Sequence, residues 1–226
     1  MGEVRGDEDG IRPALPRGPQ VVRPRPRALH LPRGPHHAGA RQRQPPRGLM
    51  ADSLREITPA DHTQGPDDAR ITAVQYGDFE CPWALQVHQI VKEMREAFPD
   101  DFRFIFRHFP LRYHPHALIA AIAAEAVGRE NGEEAFWAYH DRLYANPSAL
   151  RRDLLPQHAE ALGFDPEPIH RAIEEEEGKT EVLAQKRGGV RAGVRSTLAL
   201  FIDGELFQDD EVEDAVIERI IQPLKA

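Results

Sequence analysis

The pattern of apolar and polar residues becomes regular at about residue 70. Residues 71–76 form a short apolar run that is typical of a buried strand. Apolar side chains then recur with the spacing of one helical face up to Pro99, which ends the predicted helix. Residues 102–109 alternate over much of their length and are predicted as a second strand that Pro110 closes. The apolar helical positions are Trp83, Val87, Ile90, Val91, Met94, Ala97 and Phe98.

The middle of the chain has the pattern of a block of helices. Its first segment is almost wholly small and apolar, which indicates a buried helix. Further along, Asp165-Pro166 has the form of a helix start, and Gly178 ends that helix. The last helix of the block is expected to weaken at Gly188-Gly189. The predicted helices cover residues 117–127, 133–144, 154–162, 165–177 and about 180–187.

Strands return near the C-terminus. Residues 198–202 and 205–208 read as two strands, and Asp203-Gly204 between them is a strong hairpin signal. An amphipathic helix follows, so the predicted order is β–α–β, a block of helices, then β–β–α. The apolar positions of the last helix are Val212, Ala215, Val216, Ile220 and Ile221.

Residues 1–49 differ in composition from the remainder of the chain. They contain nine prolines and ten arginines against four acidic residues, with almost no aliphatic periodicity. Such a segment buries too little apolar surface to offset the entropy of ordering, so we predict a disordered Arg/Pro-rich tail. Two interpretations stay open: a segment that binds nucleic acid or another anionic surface, or upstream sequence that is not made in the cell. We favour the second, because the sequence becomes ordinary at Met50.

Charge and cysteine content narrow the function classes. The 177 residues after the tail carry 33 acidic and 19 basic side chains, so nucleic acid is not expected to bind the folded domain. No stretch approaches the roughly 18 uncharged apolar residues of a membrane helix, and no membrane partner is expected. The acidic start of the chain lacks a secretory pattern, which favours a cytoplasmic location. One cysteine excludes an intramolecular disulfide.

Several separated sequence runs match the pattern of a known family. They are DHTQGP at residues 61–66, YGDFECP at 76–82, RHFPL at 107–111, HPHA at 114–117 and the stretch 193–204. On these runs the chain resembles DsbA-family thioredoxin-like proteins, and in particular the thioredoxin domain attached to some sodium/proton antiporters. The resemblance implies an α/β thioredoxin-like fold. Its expected parts are a leader at residues 50–69 and a domain at 70–226, with a helical insertion at about 112–190.

Two positions depart from the pattern of that family. The Cys-Pro-x-Cys motif is here CPWA at residues 81–84, so the second cysteine is replaced by Ala84. The resemblance also implies a cis-proline beside the active cysteine, and Leu198 occupies that place. A cis bond before a residue other than proline costs about 2.5–4 kcal/mol, so the Thr197–Leu198 peptide is predicted to be trans.

The predicted chemistry centres on Cys81 as the candidate catalytic residue. A cysteine just before the first residue of a helix lies at the positive end of the helix dipole, which favours the thiolate that attacks disulfides. With Ala84 in place of a resolving cysteine, an outside thiol must resolve the mixed disulfide. The candidate substrate-binding residues are Pro82, Trp83, Thr197 and Leu198.

Two functional hypotheses stay open. The first is a monothiol oxidoreductase-like enzyme that acts on a protein or small-thiol substrate, with a thiol such as glutathione as co-substrate and no bound cofactor. The second is a binding or structural module with a groove around Trp83 and Leu198. No metal site is predicted, since His108, His114 and His116 match no zinc-ligand spacing and are interpreted as loop and packing residues. The oligomeric state stays open.

Overall fold

A single mixed β-sheet organises the part of the protein that the structure describes. The computed structural model describes residues 57–225 except residues 59, 198, 209 and 210. The predicted tail at residues 1–49 and Leu198 therefore lie outside the described residues. The strands are β1 (His62–Gln64), β2 (Ile71–Gly77), β3 (Phe102–His108), β4 (Ala199–Ile202) and β5 (Glu205–Gln208). Their order in the sheet is β1-β3-β2-β4-β5.

Helices connect and cover these strands. They are α1 (Pro82–Ala97), α2 (Ala117–Asn131), α3 (Glu133–Ala145), α4 (Leu155–Glu160), α5 (Glu167–Glu175) and α6 (Lys179–Arg191). A C-terminal helical segment consists of α7 (Glu211–Val216), a π-helical turn (Ile217–Ile221) and α8 (Gln222–Lys225). The predicted α/β order is confirmed. Among the described helices, none has both the length and the apolar composition that a membrane span requires.

The sheet is mixed because strands are joined in two ways. Strands β2 and β3 pair in parallel with α1 as the crossover, whereas β4 lies antiparallel to β2. Neighbouring side chains of a strand point to opposite faces. Gln75 Nε2 donates a hydrogen bond to the carbonyl of Ala84 in α1, over 3.1 Å, and the ring of Tyr76 lies against Gly189 in α6. Helices α1 and α6 therefore cover opposite faces of the sheet.

Helix α6 continues through Gly188-Gly189, so the prediction that these glycines weaken it was wrong. A Cβ atom added at Gly189 would lie 2.7 Å from Cδ1 of Tyr76 and 2.9 Å from Cδ2 of Phe109. Glycine thus lets the helix backbone approach two aromatic rings. This packing outweighs the low helix propensity of glycine, which is about 1 kcal/mol per residue less favourable than that of alanine.

The hairpin and the end of the chain follow from local residues. Asp203 and Gly204 both have positive φ, +48° and +83°, as a type I′ turn requires, and the predicted hairpin is confirmed. In the C-terminal segment, Val212 and Val216 are buried. A regular α-helix would bring Arg219 to the same face, but Arg219 is exposed and Ile220 is buried. The extra residue of the π turn produces this shift.

The short strand β1 was not predicted as a strand, because three residues give no periodicity signal. It lies within the segment expected as a leader and pairs antiparallel with β3. His62 anchors it: Nδ1 lies 2.8 Å from Glu133 Oε2, and Nε2 lies 3.5 Å from Glu125 Oε2. The imidazole also stacks on Phe136, with ring centroids 3.3 Å apart.

These contacts set the protonation state of His62. Burial lowers the pKa of the imidazole, but the carboxylates of Glu125 and Glu133 outweigh it and raise the pKa to about 9. Burial raises the pKa of Glu125, but its contacts with His108 and with His62 outweigh this effect and lower the pKa below its usual value. His62 is therefore a buried cation at neutral pH, and it joins β1 to helices α2 and α3.

We predict that His62 gives the protein a pH-dependent stability. Because its folded-state pKa lies above the usual 6.5, its contribution is fully present below pH 6.5 and is lost as the pH rises through 9. Allowing for screening at the half-exposed Glu133, the loss should be on the order of 2 kcal/mol. In His62→Gln this part of the pH dependence should vanish, whereas His170→Gln, at an exposed histidine, should keep it. Urea unfolding between pH 6 and pH 10 measures it, and equal slopes for His62→Gln and wild type would contradict the prediction.

Candidate thiol site

Cys81 lies at the junction between the sheet and helix α1. Its backbone is extended, with φ −85° and ψ 120°, and it is the N-cap residue of α1, with Pro82 in the first turn. The carbonyl of Cys81 accepts the first hydrogen bond of the helix, from Leu85 N at 3.2 Å. The amides of a first helical turn have no acceptor within the helix, so they form a positive environment beside the N-cap. The predicted position of the thiol at a helix N-terminus is thus the observed one.

The residues after Cys81 divide between the surface and the core. Cys81 is 5% exposed and Ala84 is fully buried, whereas Trp83 is 41% exposed. The buried face of α1 begins at Ala84, and the prediction that Trp83 belongs to that face was wrong. The position of a resolving cysteine is therefore occupied by a buried methyl group, and an exposed aromatic side chain lies beside the thiol position in sequence.

The buried carboxylate of Asp78 holds the turn that precedes Cys81. One oxygen, Oδ1, accepts a hydrogen bond from Glu80 N at 2.8 Å. The other, Oδ2, accepts from Leu111 N and from His114 Nδ1, both at 2.8 Å. The carboxylate is completely inaccessible to solvent. Asp78 therefore ties the thiol turn to the loop at residues 109–114.

A second carboxylate extends this connection. Glu80 Oε2 accepts a hydrogen bond from the backbone N–H of His116, over 2.8 Å, just before helix α2. His108, the last residue of β3, is buried, with Nε2 3.2 Å from Glu125 Oε1. The three histidines that were interpreted as loop and packing residues, His108, His114 and His116, thus make structural contacts.

The sequence analysis missed the structural role of Asp78, although Asp78 stands in the run DFEC that leads to the thiol.

Two tyrosines lie within electrostatic range of the thiol. Burial, together with the negative charges of Asp78 and Cys81, holds the pKa of Tyr144 well above its usual value. Partial burial and the same two charges raise the pKa of Tyr113. Tyr113 is 74% exposed, and Tyr144 is completely buried. Both phenols therefore stay neutral at physiological pH, one on the surface and one behind the thiol.

The loop before β4 comes to the same edge of the sheet. Since β4 is antiparallel to β2, with Gln75 opposite Leu200, the start of β4 lies beside the end of β2 that leads to Cys81. Thr197 is buried, and its Oγ1 has no hydrogen-bond partner among the described residues. Leu198 lies outside the described residues, so the trans geometry of the Thr197–Leu198 peptide stays a prediction.

This combination of sheet, helical insertion and N-capping cysteine defines a thioredoxin-like protein. The family model described as thioredoxin matches residues 57–222. The chain belongs to the thioredoxin family, and the thioredoxin-like fold expected from the sequence is confirmed.

Solved structures show the same fold. Oxidised BdbD from Bacillus subtilis has a TM-score of 0.61 and 21% identity, covering 74% of this chain and 94% of BdbD. A thioredoxin-like oxidoreductase from Silicibacter pomeroyi has a TM-score of 0.63 and 22% identity, covering 75% and 95%. At these identities the likeness concerns the fold alone.

Relatives of higher identity are described as antiporters. The Na(+)/H(+) antiporter NhaA 1 of Salinispora arenicola is 37% identical over 145 residues, which are 64% of this chain and 22% of the antiporter. The Na(+)/H(+) antiporter NhaA of Herminiimonas arsenicoxydans is 32% identical over 161 residues, 70% of this chain and 25% of that protein. The chain thus spans about a quarter of the length of these curated relatives.

We predict that Asp78→Asn destabilises the protein by about 2–4 kcal/mol. The amide nitrogen of asparagine cannot accept a hydrogen bond, so at least one donor among Glu80 N, Leu111 N and His114 would be left unpaired in the core. Asp100→Asn, at an exposed aspartate, should leave the free energy of unfolding nearly unchanged. Urea denaturation of both variants at pH 7 measures the difference. Similar stability of the two variants would show that the Asp78 carboxylate does not hold this turn.

Proposed function

We propose that the protein carries out monothiol exchange at Cys81. The single observation that carries the proposal is the N-cap position of Cys81 above a fully buried Ala84. The thiolate attacks one sulfur of a disulfide R–S–S–R′, forms the mixed disulfide Cys81–S–S–R and releases R′S⁻. A second thiolate, R″S⁻, then attacks the sulfur of R, forms R–S–S–R″ and returns Cys81 as a thiolate. Each step breaks one S–S bond and forms another, so electrons pass only between sulfur atoms and no cofactor takes part.

The surroundings of Cys81 suit the first of these steps. The positive end of α1 stabilises negative charge on the sulfur. Because the thiol is only 5% exposed, a substrate has to reach it by displacing neighbouring side chains. Small disulfides and flexible peptide segments meet this condition more easily than the surface of a folded protein.

The second thiol has to come from solution. A low-molecular-weight thiol of the glutathione class fits this role, because the methyl side chain of the buried Ala84 cannot act as the second thiol. Such thiols are kept reduced in the cytoplasm, the compartment expected from the sequence. We further propose that neither a nucleic acid nor a membrane surface is a partner of the described domain.

A second candidate function is a binding module without turnover. It is favoured by the exposure of two large apolar side chains, Trp83 and Tyr113, in the segments that Asp78 joins. In this alternative, the two rings bind an apolar peptide segment, and Cys81 is only a packed thiol. Reaction at Cys81 separates the two candidates.

We expect oxidised glutathione to form one mixed disulfide per chain, at Cys81. Intact-mass measurement at pH 7.5 follows its formation, and reduced glutathione should remove the adduct within the same assay. Cys81→Ser should give no adduct. Trp83→Ala, which removes the exposed neighbour and leaves the thiol, should still form the adduct, because the attacking sulfur is unchanged. A native protein that reacts only after unfolding in urea would support the binding module and contradict the exchange proposal.

We expect Ala84→Cys to form a reversible bridge with Cys81. Residue 84 lies almost one turn after the N-cap, the spacing of a Cys-x-x-Cys motif. The bridge should restore part of the exchange rate, and adding Leu198→Pro should raise the rate further if that loop is the second defect. Gln89→Cys, at an exposed position more than a turn further along α1, is the matched control and should not bridge. Free-thiol titration and insulin reduction measure both effects, and an Ala84→Cys protein that never bridges under mild oxidant would refute the site.

A further inference from the structure

A second cluster of chemically capable side chains lies between helices α1 and α3. His140 Nδ1 is 3.0 Å from Asp141 Oδ1, and His88 Nε2 is 3.8 Å from the same oxygen. One nitrogen of each histidine and one oxygen of Asp141 all lie within 4.8 Å of one another. The thiol chemistry proposed above uses none of these three residues.

The separations suit the first coordination sphere of a small ion. Zinc–nitrogen and zinc–oxygen bonds of about 2.0–2.2 Å in a tetrahedral site put neighbouring ligand atoms roughly 3.4 Å apart. The two measured distances lie on either side of this value. Small side-chain adjustments would therefore bring the three atoms around one ion.

Hydrogen bonding accounts for only one of the two ring nitrogens of His140, since Nδ1 lies within hydrogen-bond distance of Asp141 Oδ1. His140 is completely buried, and its Nε2 has no hydrogen-bond partner among the described residues. His88 stacks on Tyr144, with ring centroids 4.7 Å apart. Asp141 is partly exposed and lines a surface cleft, so the third ligand also faces the solvent. Water can reach that side and take a fourth position.

The donor atoms of the cluster select the kind of ion. Ca²⁺ and Mg²⁺ are held by oxygen ligands, whereas two of the three donors here are imidazole nitrogens. Imidazole suits zinc and related transition-metal ions.

We propose that His88, His140 and Asp141 bind a transition-metal ion of the zinc class, with water as the fourth ligand. The ion joins α1, whose N-terminus carries Cys81, to α3 of the helical insertion. His88 lies about two turns along α1 from the thiol, so the site is separate from the exchange chemistry and does not depend on it. Bound metal stabilises the folded chain in proportion to its occupancy.

The experiment titrates the metal-free full chain with Zn²⁺ by calorimetry and with Co²⁺ by visible absorption. Wild type should bind one equivalent at this site. Asp141→Asn keeps the size of the side chain but removes the charge of the ligand, and His88→Gln removes an imidazole ligand. Both variants should raise the dissociation constant at least about 100-fold. Asp153→Asn, at an exposed aspartate, is the matched control and should bind as wild type does. Zn²⁺ should raise the melting temperature of wild type and of Asp153→Asn but not of Asp141→Asn.

Two competing sites are separated in the same assay. Cys81 as a ligand would give a sulfur-to-cobalt charge-transfer band that Cys81→Ser removes, whereas the proposed site gives none. The second competitor is the adjacent pair His36 and His37 in residues 1–49. The double variant His36→Gln/His37→Gln removes this pair and should still bind one equivalent of metal at the proposed site. If His88→Gln fails to fold, the partly exposed Asp141→Asn decides. Binding that is unchanged in Asp141→Asn, or no bound equivalent in wild type, overturns the proposal.

Discussion

The buried carboxylate of Asp78 is the interaction on which the geometry of the thiol turn depends. It accepts three hydrogen bonds in the core, from Glu80, Leu111 and His114. A charge without solvent contact is tolerated only where such donors replace the water it has lost. Asp78 therefore connects the end of β2, the start of α1 and the loop after β3 through these hydrogen bonds. Removal of the second cysteine leaves this framework in place, because Ala84 takes no part in it.

The framework around Cys81 and the replacement of the second cysteine by Ala84 bear differently on function. The position of Cys81 depends on the end of β2, on the helix cap and on Asp78. What Ala84 changes is the fate of an intermediate, since an adduct formed at Cys81 has no internal thiol to displace it. Among relatives whose names describe antiporters, the matched region is about a quarter of the whole.

Much of the fold could be predicted from the sequence, because apolar residues recur with a clear period along the central strands and along the helices that cover them. Strands β2 and β3, helix α1 and the Asp203-Gly204 turn were found within a few residues. Strand β1 was missed because its stability comes from His62 and two distant carboxylates, which leave no local pattern. Helix α6 was predicted to weaken at two glycines because their contact with the Tyr76 ring is tertiary.

In the candidate site, too, residues with a local sequence signal could be predicted and residues brought together by tertiary contacts could not. Cys81 and Pro82 could be placed from their motif, since a helix start is a local property. His88 was hidden on the apolar face of α1, where a buried histidine looks like an interruption. Its neighbours His140 and Asp141 come from α3, and no sequence spacing shows that the two helices meet there.

The π turn near the C-terminus lies where the last helix meets both the core and the edge of the sheet. Val212 and Val216 are buried before the turn, and within it Ile220 is buried whereas Arg219 is exposed. Arg219 Nη2 lies 2.6 Å from Glu205 Oε2 on the edge strand β5. Two neighbouring residues of one wide helical turn therefore serve different partners, an apolar side chain for the core and a positive charge for the edge strand.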